Sequence, residues 1–185
     1  MFGELLASPG VEEVFEPAGP IGIMALHGGL EAGTYEIARD VAKATGASLY
    51  AVVQPDDLRW HVPSIHFDPD RSPHLARFLR SAQFAVSIHG FGRRFLSATA
   101  LLGGRNRAAA QLLAEGLEQR GFTAIWDQDR IPRPLRGLHR RNPVNLPERA
   151  GVQVELTRDL RDPPVRQRLA AALAGEVDAL AAALG

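Results

Sequence analysis

The feature that most constrains this chain is a set of short apolar runs with hydrophobic side chains on both faces, separated by segments of helical period. Runs such as PIGIMAL (20–26), ASLYAVV (47–53) and QFAVSI (83–88) have no continuous polar edge to turn toward water. Strands of that kind are stable when helices cover the sheet on both sides. Further strands are expected at 11–15, 95–102, 122–126 and 151–156, and helices over 34–45, 73–81, 105–120 and 162–183. In NRAAAQLLAEGLEQRG the leucines recur at helical spacing and Gly121 supplies the stop, while the last helix opens on proline and carries an alanine–leucine face. This order predicts a three-layer α/β sandwich around a mixed, largely parallel central sheet. With 185 residues, no internal repeat and no low-complexity linker, the expectation is one domain over 1–185.

Composition removes several classes of function. Lys+Arg and Asp+Glu balance at 21 each, so no global charge draws the chain to nucleic acid or to a membrane surface. The absence of cysteine excludes disulfides and thiolate metal sites and leaves His, Asp and Glu as the strong ligands. The opening MFGELLASPG lacks a basic start and a long apolar run, and no stretch approaches a membrane-spanning length. A cytoplasmic protein is expected.

Ligands of open α/β sheets bind where strands end and loops converge. His27 ends IGIMALH, His89 ends FAVSIH, and Glu155 lies near the end of GVQVEL. Glycine follows each histidine, which lets the chain turn sharply and approach a bound group. Glu31 is the nearest acid to His27, four residues on. Two imidazoles and a carboxylate suit zinc with a position left open, although a histidine at a strand end serves equally well as a hydrogen-bonded structural residue. Glu155 stands among Val, Val and Leu, where burial raises a carboxyl pKa toward the range a general base needs. On a half-exposed edge strand it would instead face solvent.

Five blocks, in order from about residue 11 to residue 161, resemble the poly-γ-glutamate hydrolase family of small zinc peptidases with a carboxypeptidase-like α/β core. They are ALHGGLEAGTYEIA, WHVPSIHFDPD, VSIHG, LLGGRN and GVQVELTRDLR. The resemblance implies zinc on His27, Glu31 and His89 and a catalytic base at Glu155. The family commonly has three glycines and an apolar residue between the first histidine and the glutamate; HGGLE is one residue shorter. Such a deletion moves a carboxylate by about 3 Å in extended chain.

Two long connections, roughly 54–72 and 127–150, are rich in Pro, Arg, His and Asp, and loops of that length inside a compact domain are often functional. His61 and His66 are expected to fold over the site and touch substrate or a ligand carboxylate. Arg133, Arg136, Arg140, Arg141 and Arg149, with Arg130 beside them, suit an anionic substrate because the guanidinium fork holds a carboxylate in two bonds. Arg93 and Arg94 would add to them; a solvated loop is the plainer reading. No aromatics interleave with these arginines as single-strand nucleic-acid binding requires. The expected activity is zinc-dependent hydrolysis of amide bonds in a poly-γ-glutamate-like, γ-glutamyl or N-acyl amino acid substrate. The alternative is a binding module whose shortened first block holds no metal.

Overall fold

The apolar runs fold into one seven-stranded sheet. Its strands are β1 (Glu12–Glu16), β2 (Gly19–Gly28), β3 (Ala47–Val53), β4 (Phe84–Gly90), β5 (Thr99–Leu102), β6 (Thr123–Ile125) and β7 (Gly151–Leu156), in the order β1-β3-β2-β4-β7-β5-β6. The structure is a computed structural model and describes residues 1–92 and 96–184. The pairs β2/β3, β2/β4, β4/β7 and β5/β6 are parallel. The pairs β1/β3 and β5/β7 are antiparallel, which gives the mixed, largely parallel sheet expected.

Helices α1 (Phe2–Leu6), α2 (Thr34–Thr45), α3 (Pro73–Ser81), α4 (Arg107–Gln119), α5 (Arg158–Arg161) and α6 (Pro163–Leu184) complete the fold. Alternate strand residues separate two cores. Ile23, Leu49, Val86 and Val154 pack with Ile37 of α2, Leu113 of α4 and Leu173 of α6. Met24, Tyr50 and Val52 pack with Leu5 of α1 and Phe78 of α3. This two-residue alternation buries both faces of the sheet.

Local chemistry sets the helix ends. Ser72 caps α3 by accepting from the Leu75 N–H at 2.8 Å, with proline in the first turn. Asn106 caps α4 in the same way through Ala109 at 3.1 Å. Helix α2 stops at Gly46, whose left-handed φ of 63° lets its N–H reach the Ala42 carbonyl.

The expected strand over 95–102 is shorter, Thr99–Leu102. Ala98 has a φ of 44°, which breaks the extended geometry just before the strand, and Phe95 lies outside the described residues. The short helices α1 and α5 were not anticipated from the sequence. Among the described residues, no helix is long and apolar enough to cross a membrane.

One irregularity positions the site. Along β2 and β3 the register runs Ile23–Leu49, Met24–Tyr50 and Ala25–Ala51, then jumps to Gly28–Val53. Leu26 and His27 thus oppose the single residue Val52, a β-bulge that reverses the side to which every later residue points. Strict alternation from Ile21, Ile23 and Ala25 would send the His27 side chain into the core under α2, α4 and α6. The bulge instead carries it to the opposite face, where its ring lies 5.7 Å from Phe67. His89 and Glu155 share that face, since Ile88 and Val154 fill the other core, and the two are register partners across β4 and β7.

Candidate metal centre

His27 and His89 meet at the carboxyl ends of β2 and β4. Their Nδ1 atoms are 3.3 Å apart, and both rings are buried. Glu31 closes the triangle, with Oε1 at 3.0 Å from His27 Nδ1 and Oε2 at 3.7 Å from His89 Nδ1. The glycine turn brings it there. Gly29 takes a φ of 74° against the backbone of Gln54, where a Cβ would collide with the Gln54 carbonyl. The Glu31 N–H then donates to the His27 carbonyl at 2.8 Å, folding the carboxylate back over the strand end. The reach that HGGLE put in question is therefore met by a closed turn rather than by extended chain.

The far side of each ring is fixed by a neighbour. His27 Nε2 lies 2.8 Å from the Val62 carbonyl. A carbonyl oxygen only accepts, so Nε2 carries a proton, and Nδ1 is the atom that would turn a lone pair to a cation in the triangle. His89 Nε2 lies 2.8 Å from the Ser87 hydroxyl, which can serve either tautomer. Glu31 Oε2 also accepts from the Gly90 N–H at 2.8 Å.

The two Nδ1 atoms are 3.3 Å apart and each lies 3.0 or 3.7 Å from an oxygen of the Glu31 carboxylate, close to the roughly 3.4 Å expected between neighbouring ligand atoms of a tetrahedral zinc ion. His27, Glu31 and His89 are also a group whose ligand atoms all lie within 4.8 Å of one another. Two imidazoles and one carboxylate are a donor set that zinc accepts.

The electrostatics favour positive charge at this point. Burial works against ionisation of Glu31, but hydrogen bonds and charge from His27 and His89 outweigh it and hold the carboxyl far below the usual range. Burial likewise disfavours the His89 cation, yet the Glu31 hydrogen bond and the charges of Glu155 and Glu31 raise its pKa. Glu155 is shifted upward, chiefly by burial and also by Glu31, against the lowering effect of the histidines and a Gln153 hydrogen bond.

Glu155 does not stand alone. Gln153, two residues earlier on the same face of β7, donates from Nε2 to Glu155 Oε1 at 2.8 Å. Asn142 Nδ2 in turn donates to Gln153 Oε1 at 2.7 Å. All three side chains are buried. Sequence reasoning missed Gln153 and Asn142; the signal was a second polar residue at even spacing from Glu155 in an otherwise apolar strand.

A cavity of about 740 Å³ opens over the triad, and His27, Glu31, His89 and Glu155 line it with His61. The His61 ring lies 4.7 Å from that of His27, and burial, with a smaller effect from the neighbouring His27, lowers its pKa. Arg133 and Arg136 line the same cavity, carried by a short 3-10 turn at Arg133–Leu135. Other expected contacts lie elsewhere. His66 and Arg141 border a separate, smaller cavity of about 370 Å³. Arg140 and Arg149 are exposed and line neither cavity. Arg93 and Arg94 lie outside the described residues.

Comparison with known proteins agrees with this architecture. The family model described as poly-gamma-glutamate hydrolase matches residues 8–169. The UPF0714 protein YndL of Bacillus subtilis (strain 168) is 27% identical over 149 residues, covering 79% of this chain and 56% of its own length. The chain thus spans about half the length of that curated relative. A bacteriophage poly-gamma-glutamate hydrolase superposes with a TM-score of 0.81 at 25% identity, over 95% of this chain and 91% of the other. A zinc-free structure of YndL gives 0.78 at 22% identity, over 91% and 89%. A metallo-carboxypeptidase from Burkholderia cenocepacia shares the fold at a TM-score of 0.61 and 10% identity, over 99% of this chain and 68% of that one.

Proposed function

The chain belongs to the poly-γ-glutamate hydrolase family, and on that premise we propose that it is a zinc-dependent hydrolase of amide bonds in a γ-glutamyl substrate, polymeric or small. The observation that carries the proposal is the convergence of His27 Nδ1, His89 Nδ1 and the Glu31 carboxylate on one point. The zinc-free description of the YndL structure and the metallo-carboxypeptidase fold support the same cation.

His27, Glu31 and His89 would hold the ion. Bound there, zinc supplies Lewis acidity toward a carbonyl and toward water. Glu155 takes a proton from the attacking water and returns it to the departing amine, a role suited to a carboxyl whose pKa burial has raised. Gln153 fixes one carboxylate oxygen of Glu155 and leaves the other for the proton. Arg133 and Arg136 bind substrate carboxylates in the cavity wall, and His61 closes the opposite wall over His27. The binding-module alternative rested on Glu31 falling short; its position 3.0 Å from His27 Nδ1 favours the enzyme.

The test is incubation of zinc-loaded protein with γ-linked glutamate oligomers, with products read by mass spectrometry. Cleavage that a chelator abolishes, and that Glu155→Gln lowers by about 10²–10⁴-fold, is the expected result. Intact oligomer at all zinc loadings overturns the proposal.

A further inference from the structure

The cavity over Glu155 is not alone at the metal triad. A second cavity of about 650 Å³ lies on the other side of Glu31 and Gly90, residues that line both. Its wall carries Arg59, Arg158, Arg161 and Arg166, from the 54–72 connection, α5 and the start of α6. None of these arginines falls in the 127–150 connection that supplies Arg133 and Arg136.

Their partners are incomplete. Arg166 faces Glu36 at 3.5 Å, yet its Nε is a buried donor with no hydrogen-bond partner. Arg161 spends Nε and Nη1 on the carbonyls of Leu156 and Ala32. Its guanidinium packs so closely on Gly90 that a Cβ there would collide with it. Among the described residues, Arg59, Arg158 and Arg161 form no ion pair with a carboxylate. Glu31 is committed to the histidines, and Glu36 faces Arg166. Asp56 and Asp162 remain as the other acids of the wall, fewer than the three arginines that lack a carboxylate. Arg59 and Arg158 are exposed, whereas Arg161 and Arg166 are half-buried, and an anion entering the cavity would complete the guanidinium donors that the protein leaves open.

We propose that this second cavity is a carboxylate-binding subsite, in which Arg59, Arg158, Arg161 and Arg166 hold the part of the substrate chain beyond the scissile bond. The proposal rests on the hydrolase reading above and extends it to the other side of the triad. A γ-linked chain crossing the ion carries a free carboxylate on each residue, so it presents one anion to Arg133 and Arg136 and another to the second cavity.

The probe is a γ-linked glutamate oligomer of about six residues, titrated calorimetrically at low salt into metal-free protein, which separates binding from turnover. Replacing the two exposed arginines together, Arg59→Ser with Arg158→Ser, is expected to weaken binding about tenfold. Arg71→Ser with Arg80→Ser is the control for net charge, because both arginines are exposed and line neither cavity; its Kd should stay within about twofold of the parent. Far-ultraviolet circular dichroism confirms that each variant is folded. Equal affinity of the Arg59 and Arg158 double variant and the control, or no saturable binding to the parent, overturns the subsite. Zinc-loaded parent protein that leaves the same oligomer uncut overturns the hydrolase reading instead.

Discussion

Gln153→Leu tests whether Glu155 is a buried carboxylate held by a dedicated donor. Leucine keeps much of the volume but removes the 2.8 Å bond to Glu155 and the 2.7 Å bond from Asn142. The first is charge-assisted and is worth about 1.5–3 kcal/mol; the second is neutral, about 1 kcal/mol, and its loss strands the Asn142 donor. Added apolar burial offsets part of this, leaving a net loss of about 2–4 kcal/mol at pH 8. For a chain of this length that is a fall in Tm of roughly 5–15 °C.

The pH dependence separates the two contributions. The folded pKa of Glu155 lies above the ordinary value of 4.5, with burial the leading cause. Its contribution to stability is therefore fully present below 4.5 and is lost as pH rises through the folded pKa. Without the Gln153 donor the folded pKa rises further, so the variant loses more over that window than the parent does. Thermal melts of metal-free parent, Gln153→Leu and Gln153→Leu/Glu155→Gln at pH 8 and pH 4.5 provide the readout. The single variant should lose about half as much at the lower pH, and the second substitution should recover about 1–2 kcal/mol at pH 8. Equal losses at both pH values, with no coupling between the positions, would refute the claim that Gln153 supports an ionised Glu155.

Other expectations follow from the same geometry. Gly29→Ala should destabilise the fold by about 2 kcal/mol or more, because alanine resists a φ of 74° and its Cβ meets the Gln54 carbonyl; chemical denaturation measures it. Glu31→Gln should weaken zinc binding by at least about 100-fold in a chelator competition, with the apo fold retained. Arg133→Ser should raise KM for a γ-glutamyl oligomer about tenfold, whereas Arg140→Ser, outside the cavity, should change it less than about twofold.

Much of the architecture was legible because periodicity reports burial. The helices over 34–45 and 73–81 and the strands over 47–53 and 151–156 coincide with the observed α2, α3, β3 and β7. Local conformation was harder to read. The positive φ of Ala98 that delays β5 and the bulge at Leu26–His27 arise from tertiary contacts rather than composition. That bulge matters most, since simple alternation would have placed His27 on the face opposite His89. The strand-end argument selected both histidines for their position along the chain and was silent on the face. The arginines divide for a similar reason. Their density marked a polar connection, but only the path of the chain decides that Arg133 and Arg136 face the cavity while Arg140 and Arg149 face solvent. Arg161 was quoted within its block yet carried no assigned role, because its partners are backbone carbonyls distant in sequence.

The most direct measurement is a crystal structure of protein purified without a histidine tag and equilibrated with zinc, with anomalous diffraction recorded at the zinc edge. A single peak per chain bonded to Nδ1 of His27, Nδ1 of His89 and the carboxylate of Glu31 is the expected result. No peak at that point, or one held through the Nε2 atoms or by other side chains, would contradict the shared-cation centre on which the proposed chemistry depends.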